Sequence, residues 1–183
     1  MEMPELQVIG PGRMPPEEYF RVRGTTLRLP LGFAKGSEHL ADDEAAIHAW
    51  LEDEAGIISV GRAHLIAAGD DGAMQDHDGE DSVECPPFTP LLGETGFPPP
   101  QHLRPAFHIR QMGTVEERRR QGHAAIILKA LEQAAVTCWS CNSGWLQART
   151  QAVPFYESQG WKSHGDEFFI SGIGPHLSMW KRY

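Results

Sequence analysis

Cysteine is scarce, long apolar runs are missing and basic residues are outnumbered, and each shortage excludes something. Three cysteines, Cys85, Cys138 and Cys141, are too few for a disulfide framework and point to reduced thiols. No apolar run approaches the ~18 residues of a membrane-spanning helix, and residues 1–20 hold no apolar leader core. The expectation is a cytoplasmic protein with no membrane partner. Sixteen Lys and Arg against 25 Asp and Glu give a net charge of −9, which argues against a nucleic-acid partner. Neither the Walker pattern G-x-x-x-x-G-K-[ST] nor the dinucleotide pattern G-x-G-x-x-G occurs. Cys138 and Cys141 have C-x-x-C spacing, but no second pair or H-x3–5-H completes a zinc set, so no metal is expected. They also follow a helix rather than opening one after a strand, which disfavours a redox pair.

What is present suits an ordinary globular chain. A length of 183 residues, 40% apolar and 22% charged, predicts one domain over 1–183. Charge is uneven: residues 1–104 hold 7 basic and 19 acidic side chains, and 105–183 hold 9 and 6. An anionic ligand is therefore expected in the C-terminal part and a cationic one in the N-terminal part. Four prolines make residues 1–16 read as a loose arm. A helix is expected over Glu17–Leu29, then strands over Ala45–Glu52 and Ile57–Ala67 around a turn. Residues 70–104 carry six prolines, four glycines and eight acids with no sustained period. They predict an acidic surface loop inserted in the domain, able to supply little core.

From Pro105 the pattern sharpens. Phe107–Val115 reads as a strand, and Gly122–Val136 as a helix with Ala124, Ile127, Leu128, Leu131, Ala134 and Ala135 on one stripe. A strand over Gly144–Arg149, a helix over Gln151–Gln159 and a hairpin of Glu167–Ile170 with His176–Arg182 complete an α/β (α+β) domain with a mixed sheet. The turn Met112-Gly-Thr-Val-Glu-Glu-Arg-Arg-Arg-Gln-Gly-His-Ala124 joins strand to helix. A helix N-terminus offers unpaired N–H groups to an anion such as pyrophosphate, and Gly122 lets backbone approach a ligand. Arg118, Arg119 and Arg120 add charge there; equally, they form a solvated helix start paired with Glu116 and Glu117.

Arg119-Arg-Gln-Gly122-His-Ala124 resembles motif A of the GNAT superfamily of acyl-CoA-dependent N-acyltransferases, [Q/R]-x-x-G-x-[G/A]. Met112-Gly113-Thr114 stands where that family's coenzyme-binding strand bulges. Ala152-Val-Pro-Phe155-Tyr156-Glu157-Ser-Gln-Gly160-Trp161 resembles the family's later A-x-x-F-Y-E-x-x-G-F segment, and Glu167–Met179 its closing hairpin. The resemblance covers 105–183 well and 17–68 loosely.

It implies a mostly antiparallel sheet with a central parallel pair, Phe107–Val115 and Gly144–Arg149, splayed around the coenzyme, and helices on both faces. Acetyl-CoA is the implied cosubstrate. Its pantetheine arm would lie on the backbone of Met112, Gly113 and Thr114, and its pyrophosphate on Arg119, Arg120, Gln121, Gly122, His123 and Ala124. The implied reaction is direct attack by an amine, on a small molecule or a protein. Tyr156 is implied as acid to the leaving thiolate, with Glu167 or His176 on the acceptor side. A water chain is an equal candidate for the base, and His108 and Arg110 share a strand face before the bulge. Arg149 stands where relatives have Asn, so that residue's contact is not carried over. A coenzyme-binding sensor without catalysis is the alternative, and a homodimer is compatible with either.

Overall fold

The computed structural model describes residues 3–75, 82, 84–88 and 100–183. In chain order the main elements are β1 (Glu5–Ile9), α1 (Glu17–Arg23), β2 (Ile47–Asp53), β3 (Gly56–Ile66), β4 (Met74–Gln75), β5 (Glu84–Cys85) and β6 (Ala106–Thr114). Then come α2 (His123–Trp139), β7 (Ser143–Arg149), α3 (Val153–Ser158), β8 (Lys162–Ile170) and β9 (Gly174–Arg182). Seven strands share one mostly antiparallel sheet with one parallel pair, in the order β1-β2-β3-β6-β7-β9-β8. That is the expected mixed architecture. Among the described residues no helix is long and apolar enough to cross a membrane.

The chain divides into two compact units. One is Met1–His64 with Ile109–Cys138; the other is Leu65–His108 with Trp139–Tyr183.

The first unit corrects the expected loose arm: Glu5–Ile9 pair antiparallel with β2, Leu6 opposite Leu51 and Val8 opposite Ala49. Local composition misses this strand because its partner lies some forty residues on. The helix expected to reach Leu29 stops at Arg23 and continues as one π-helical turn, Gly24–Arg28. Tyr19, Phe20 and Val22 pack with Ile9, Trp50, Ile57 and Val60 in an apolar cluster. At about 25 cal/mol per Å² of apolar surface removed from water, such a cluster is a main stabiliser of its unit. Helix α2 buries Ile127, Leu128, Leu131 and Ala135 as expected, while Ala124 and Ala134 stay half-buried. It rests on β3 at Gly61, where an added Cβ would meet Ile127 at 2.8 Å, and Leu131 and Met112 at 3.1 Å.

The second unit contains the stretch expected to be a surface loop. Of that stretch, 76–81, 83 and 89–99 lie outside the described residues. The described part contributes to the core: Phe88 and Leu103 are fully buried with Ile66, Ala106, Trp145 and Trp180. Phe88 lies 5.4 Å from the Trp145 ring, and Arg104 donates to the Phe88 carbonyl at 2.6 Å and to the Asp70 carbonyl at 3.0 Å. The Gln147 amide donates to the Pro86 carbonyl at 2.8 Å. One aromatic and a few side-chain hydrogen bonds to its backbone carbonyls anchor a segment whose average composition looked loose.

Candidate functional site

In the first unit β6 kinks at Gln111, whose φ of 52° is left-handed. Such a residue interrupts a ladder and re-aims the strand. Past the kink, Gly113 sits so close beneath Thr26 and Leu27 that a Cβ there would collide with the Thr26 hydroxyl. Ser59 donates to the Gly113 carbonyl at 3.2 Å and pairs its hydroxyl with that of Thr114 at 2.8 Å. The Val115 N–H then returns to the Ile58 carbonyl at 3.0 Å. Met112, Gly113 and Thr114 are thus held by β3 and the π turn.

The next turn sorts three arginines by role. Arg118 is half-buried and paired with Asp53 at 2.7 Å, so it is structural. Arg119 and Arg120 are exposed; Arg119 Nε donates to the Thr114 carbonyl at 3.2 Å, leaving its terminal nitrogens outward of the turn's own bonding. Gln121 donates to the Glu117 carbonyl at 3.1 Å, which closes the turn. Arg120 (φ 60°) and Gly122 (φ 86°) are both left-handed. This turn, with two left-handed residues, can direct successive N–H groups to one side, as an anion-binding concavity does. It ends at His123, where the first N–H groups of α2 have no intrahelical partner. Nothing lies within 4 Å of a Cβ built on Gly122, so its glycine is required by φ and not by space. The His123 ring is buried, leaving its main chain as the part available to a ligand.

In the second unit a turn over Thr150–Ala152 leads into α3, with Pro154 in its first turn. Tyr156 is half-buried, edge-on to Phe155 at 5.0 Å and to Trp161 at 6.4 Å. Burial pushes its phenol pKa up to about 12, so it stays protonated throughout the physiological range. His176 is buried, opposite Arg149 on β7 and stacked on Phe168 of β8 at 5.9 Å. Its Nδ1 lies 2.8 Å from the Gly174 carbonyl, which can only accept, so Nδ1 carries the proton and Nε2 the lone pair. Burial lowers the His176 pKa and the Arg149 charge lowers it further, against the Gly174 hydrogen bond. Glu167 is exposed and accepts from the Thr150 hydroxyl at 3.3 Å. Of the two strand candidates, His176 has the geometry of a neutral base. His108 is buried edge-on to Phe88 at 4.7 Å. Among the described residues no group of three or more His, Cys, Asp or Glu is placed to hold a metal.

Residues 101–182 match the family described as the acetyltransferase (GNAT) domain. That stretch, a little under half of the chain, is similar to a GNAT domain. It is 38% identical over 74 residues to the uncharacterized N-acetyltransferase YjcF of Bacillus subtilis, a match covering 40% of this chain and 51% of that protein. The chain thus spans about half the length of that curated relative. The fold is similar to that of Escherichia coli ElaA, with a TM-score of 0.66 at 13% identity, covering 98% of this chain and 100% of that one. It is also similar to Arabidopsis thaliana NAA60 solved with acetyl-CoA, with a TM-score of 0.62 at 11% identity, covering 97% and 98%. The matched stretch takes in Met112–Ala124, Tyr156, Glu167 and His176.

The first unit also holds a buried ionic cluster that the sequence reading missed. Arg23 grips Asp43 with both terminal nitrogens, at 2.8 and 2.6 Å. Arg62 Nη1 donates to Asp43 and to Asp42, each at 2.7 Å. His48 donates from Nε2 to the Asp43 carbonyl at 2.8 Å and faces the Tyr19 hydroxyl at 3.1 Å. Burial alone would raise the Asp43 pKa, but the Arg23 hydrogen bonds and the charges of Arg23 and Arg62 hold it at about 2. Burial lowers His48 to about 4. The available signal was Arg62 and His64 at alternate positions of a mostly apolar strand.

Proposed function

We propose that the protein is an N-acetyltransferase that moves an acetyl group from acetyl-CoA to an amine by direct attack, with no covalent enzyme intermediate. The observation that carries this reading is the turn after β6. Two left-handed residues, the open N–H groups of α2 and two exposed arginines converge there, inside the stretch matching the GNAT domain. These residues suit an acyl-CoA: Arg119, Arg120 and the backbone of Gln121, Gly122, His123 and Ala124 would hold the pyrophosphate. The backbone of Met112, Gly113 and Thr114 would hold the pantetheine arm. The coenzyme supplies an acetyl group activated as a thioester.

Transfer to an amine needs a base for the amine and an acid for the departing thiol. His176, neutral and with Nδ1–H committed to Gly174, takes the amine proton on Nε2. Glu167, exposed on the adjoining strand, has an acceptor-side role. Tyr156, protonated at neutral pH, returns a proton to the sulfur. The acceptor is an amine of a small molecule or a protein.

Release of free thiol from acetyl-CoA across an amine panel tests the reading. Coenzyme binding by calorimetry with no thiol release from any amine would replace it with an acyl-CoA sensor. In Tyr156→Phe the catalytic rate should fall about 10²- to 10⁴-fold, the usual worth of a positioned acid, with coenzyme affinity unchanged. Full activity with normal folding would assign the proton to another group.

A further inference from the structure

The ionic cluster of the first unit is incomplete. Three guanidinium groups, those of Arg23, Arg62 and Arg110, share two carboxylates, Asp42 and Asp43. Arg62 is fully buried, and only its Nη1 has partners; Nε and Nη2 are buried with none. Those two N–H groups form one edge of the planar guanidinium, the fork that a carboxylate fills with two parallel hydrogen bonds. His64, two residues along β3, has a buried Nε2 that is likewise without a partner. Its Nδ1 lies 3.7 Å from Asp42, and Arg110 Nη1 lies 3.9 Å from the same carboxylate oxygen. Burial and the positive charges of Arg62 and Arg110 hold His64 well below its ordinary pKa, so it adds no charge of its own. Burying a donor without a partner is costly, and more so for a charged group. The unfilled fork of Arg62 calls for an added anion with two oxygens.

We propose that Arg62, with His64 and Arg110 beside it, binds a carboxylate of the acceptor, so that the substrate is an amino-acid-like amine rather than a polycation. The inference rests on the acetyl-transfer reading. Arg110 stands two residues before Met112 on β6, about 7 Å along a strand. It therefore links the cluster to the backbone assigned to the pantetheine arm. Asp42, a third of its side chain exposed, and Arg110 bring the cluster to the surface. The acidic surface average of the N-terminal residues conceals this cationic interior.

The test pairs amino acids with their carboxamides as acceptors of acetyl-CoA, and N-acetylglycine with N-acetylglycinamide as binding probes. The acids should exceed their amides at least tenfold in kcat/KM. Arg62→Lys keeps the charge and removes the fork; KM for the acids should rise about tenfold or more and the acid preference should vanish, with coenzyme affinity unchanged by calorimetry. Arg110→Gln, at the cluster's edge, should narrow the preference in the same direction and serves if Arg62→Lys does not fold. Equal turnover of acids and amides overturns the carboxylate site and leaves acetyl transfer standing. No turnover of any amine, with N-acetylglycine binding the wild type and not Arg62→Lys, keeps the site and overturns the transfer. Failure of N-acetylglycine to bind the wild type better than its amide overturns the site whatever the kinetics.

Discussion

The two units solve the problem of a polar interior in opposite ways. The first buries full charges and neutralises them against one another, Arg23 and Arg62 on Asp43. The second buries rings and ties its few polar groups to backbone carbonyls or hydroxyls. There Trp145 donates to Ser143 at 2.9 Å, Ser143 to the Leu103 carbonyl at 2.8 Å, and Arg104 to the Phe88 carbonyl. Ion pairs in a low-dielectric interior gain little net stability but make the loss of either partner severe. Ring packing is sensitive instead to volume. The first unit should therefore respond to charge and pH, and the second to the size of its side chains.

Asp43→Asn should break the contrast most sharply. It leaves Arg23 and Arg62 buried without their shared counter-ion, at a cost of about 5 kcal/mol. Urea unfolding would measure it; a loss near 1 kcal/mol would mean that water reaches both guanidinium groups. Phe88→Ala should follow, with about 4 kcal/mol for a cavity among Trp145, Leu103 and Ile66. Thermal melting of that variant also decides whether the 70–104 stretch is structural, since a loop residue would shift the midpoint little.

Acid should act on the first unit next. His48 titrates near 4 when folded and near 6.5 when unfolded. Between those values the unfolded chain binds the extra proton, so stability falls as pH drops through that window. A shift of that size corresponds to about 3 kcal/mol lost by pH 4. The depressed pKa of His64 adds in the same direction. Asp43, at about 2 when folded, adds a further loss only below its unfolded value near 3.8. Urea midpoints at several pH values would show the slope, and His48→Gln should flatten it. The smallest effect expected is on the ligand turn: Arg119→Ala with Arg120→Ala should weaken coenzyme binding about tenfold to a hundredfold. Arg118→Ala should instead lower stability by loosening Asp53.

How much was legible follows from how local each signal is. From Pro105 onward, helical spacing in α2, alternation in β6 and the glycine-marked turn are written within a few neighbouring residues. The sequence placed the elements there to within a few positions. The strand Glu5–Ile9 escaped notice because its place is set by pairing with β2. Phe88 was hidden by the acids and prolines around it, although a single ring suffices to anchor a segment. The ionic cluster was illegible because Asp42-Asp43 reads as surface until β3 brings Arg62 to it. At the hairpin, His176 and Glu167 were equivalent in sequence, and a single carbonyl oxygen, that of Gly174, distinguishes them.

Gly61 has a consequence beyond close packing. The height of α2 above β3 is set by an atom that is not there, since a single methyl at this position would press on Ile127, Leu131 and Met112 together. Ile127 lies one helical turn from His123, and Met112 lies on the strand that feeds the same ligand turn. A residue outside that turn is thus the fulcrum for both arms of the proposed coenzyme cradle. Natural variation at that fulcrum would retune affinity while every ligand-facing residue stayed the same.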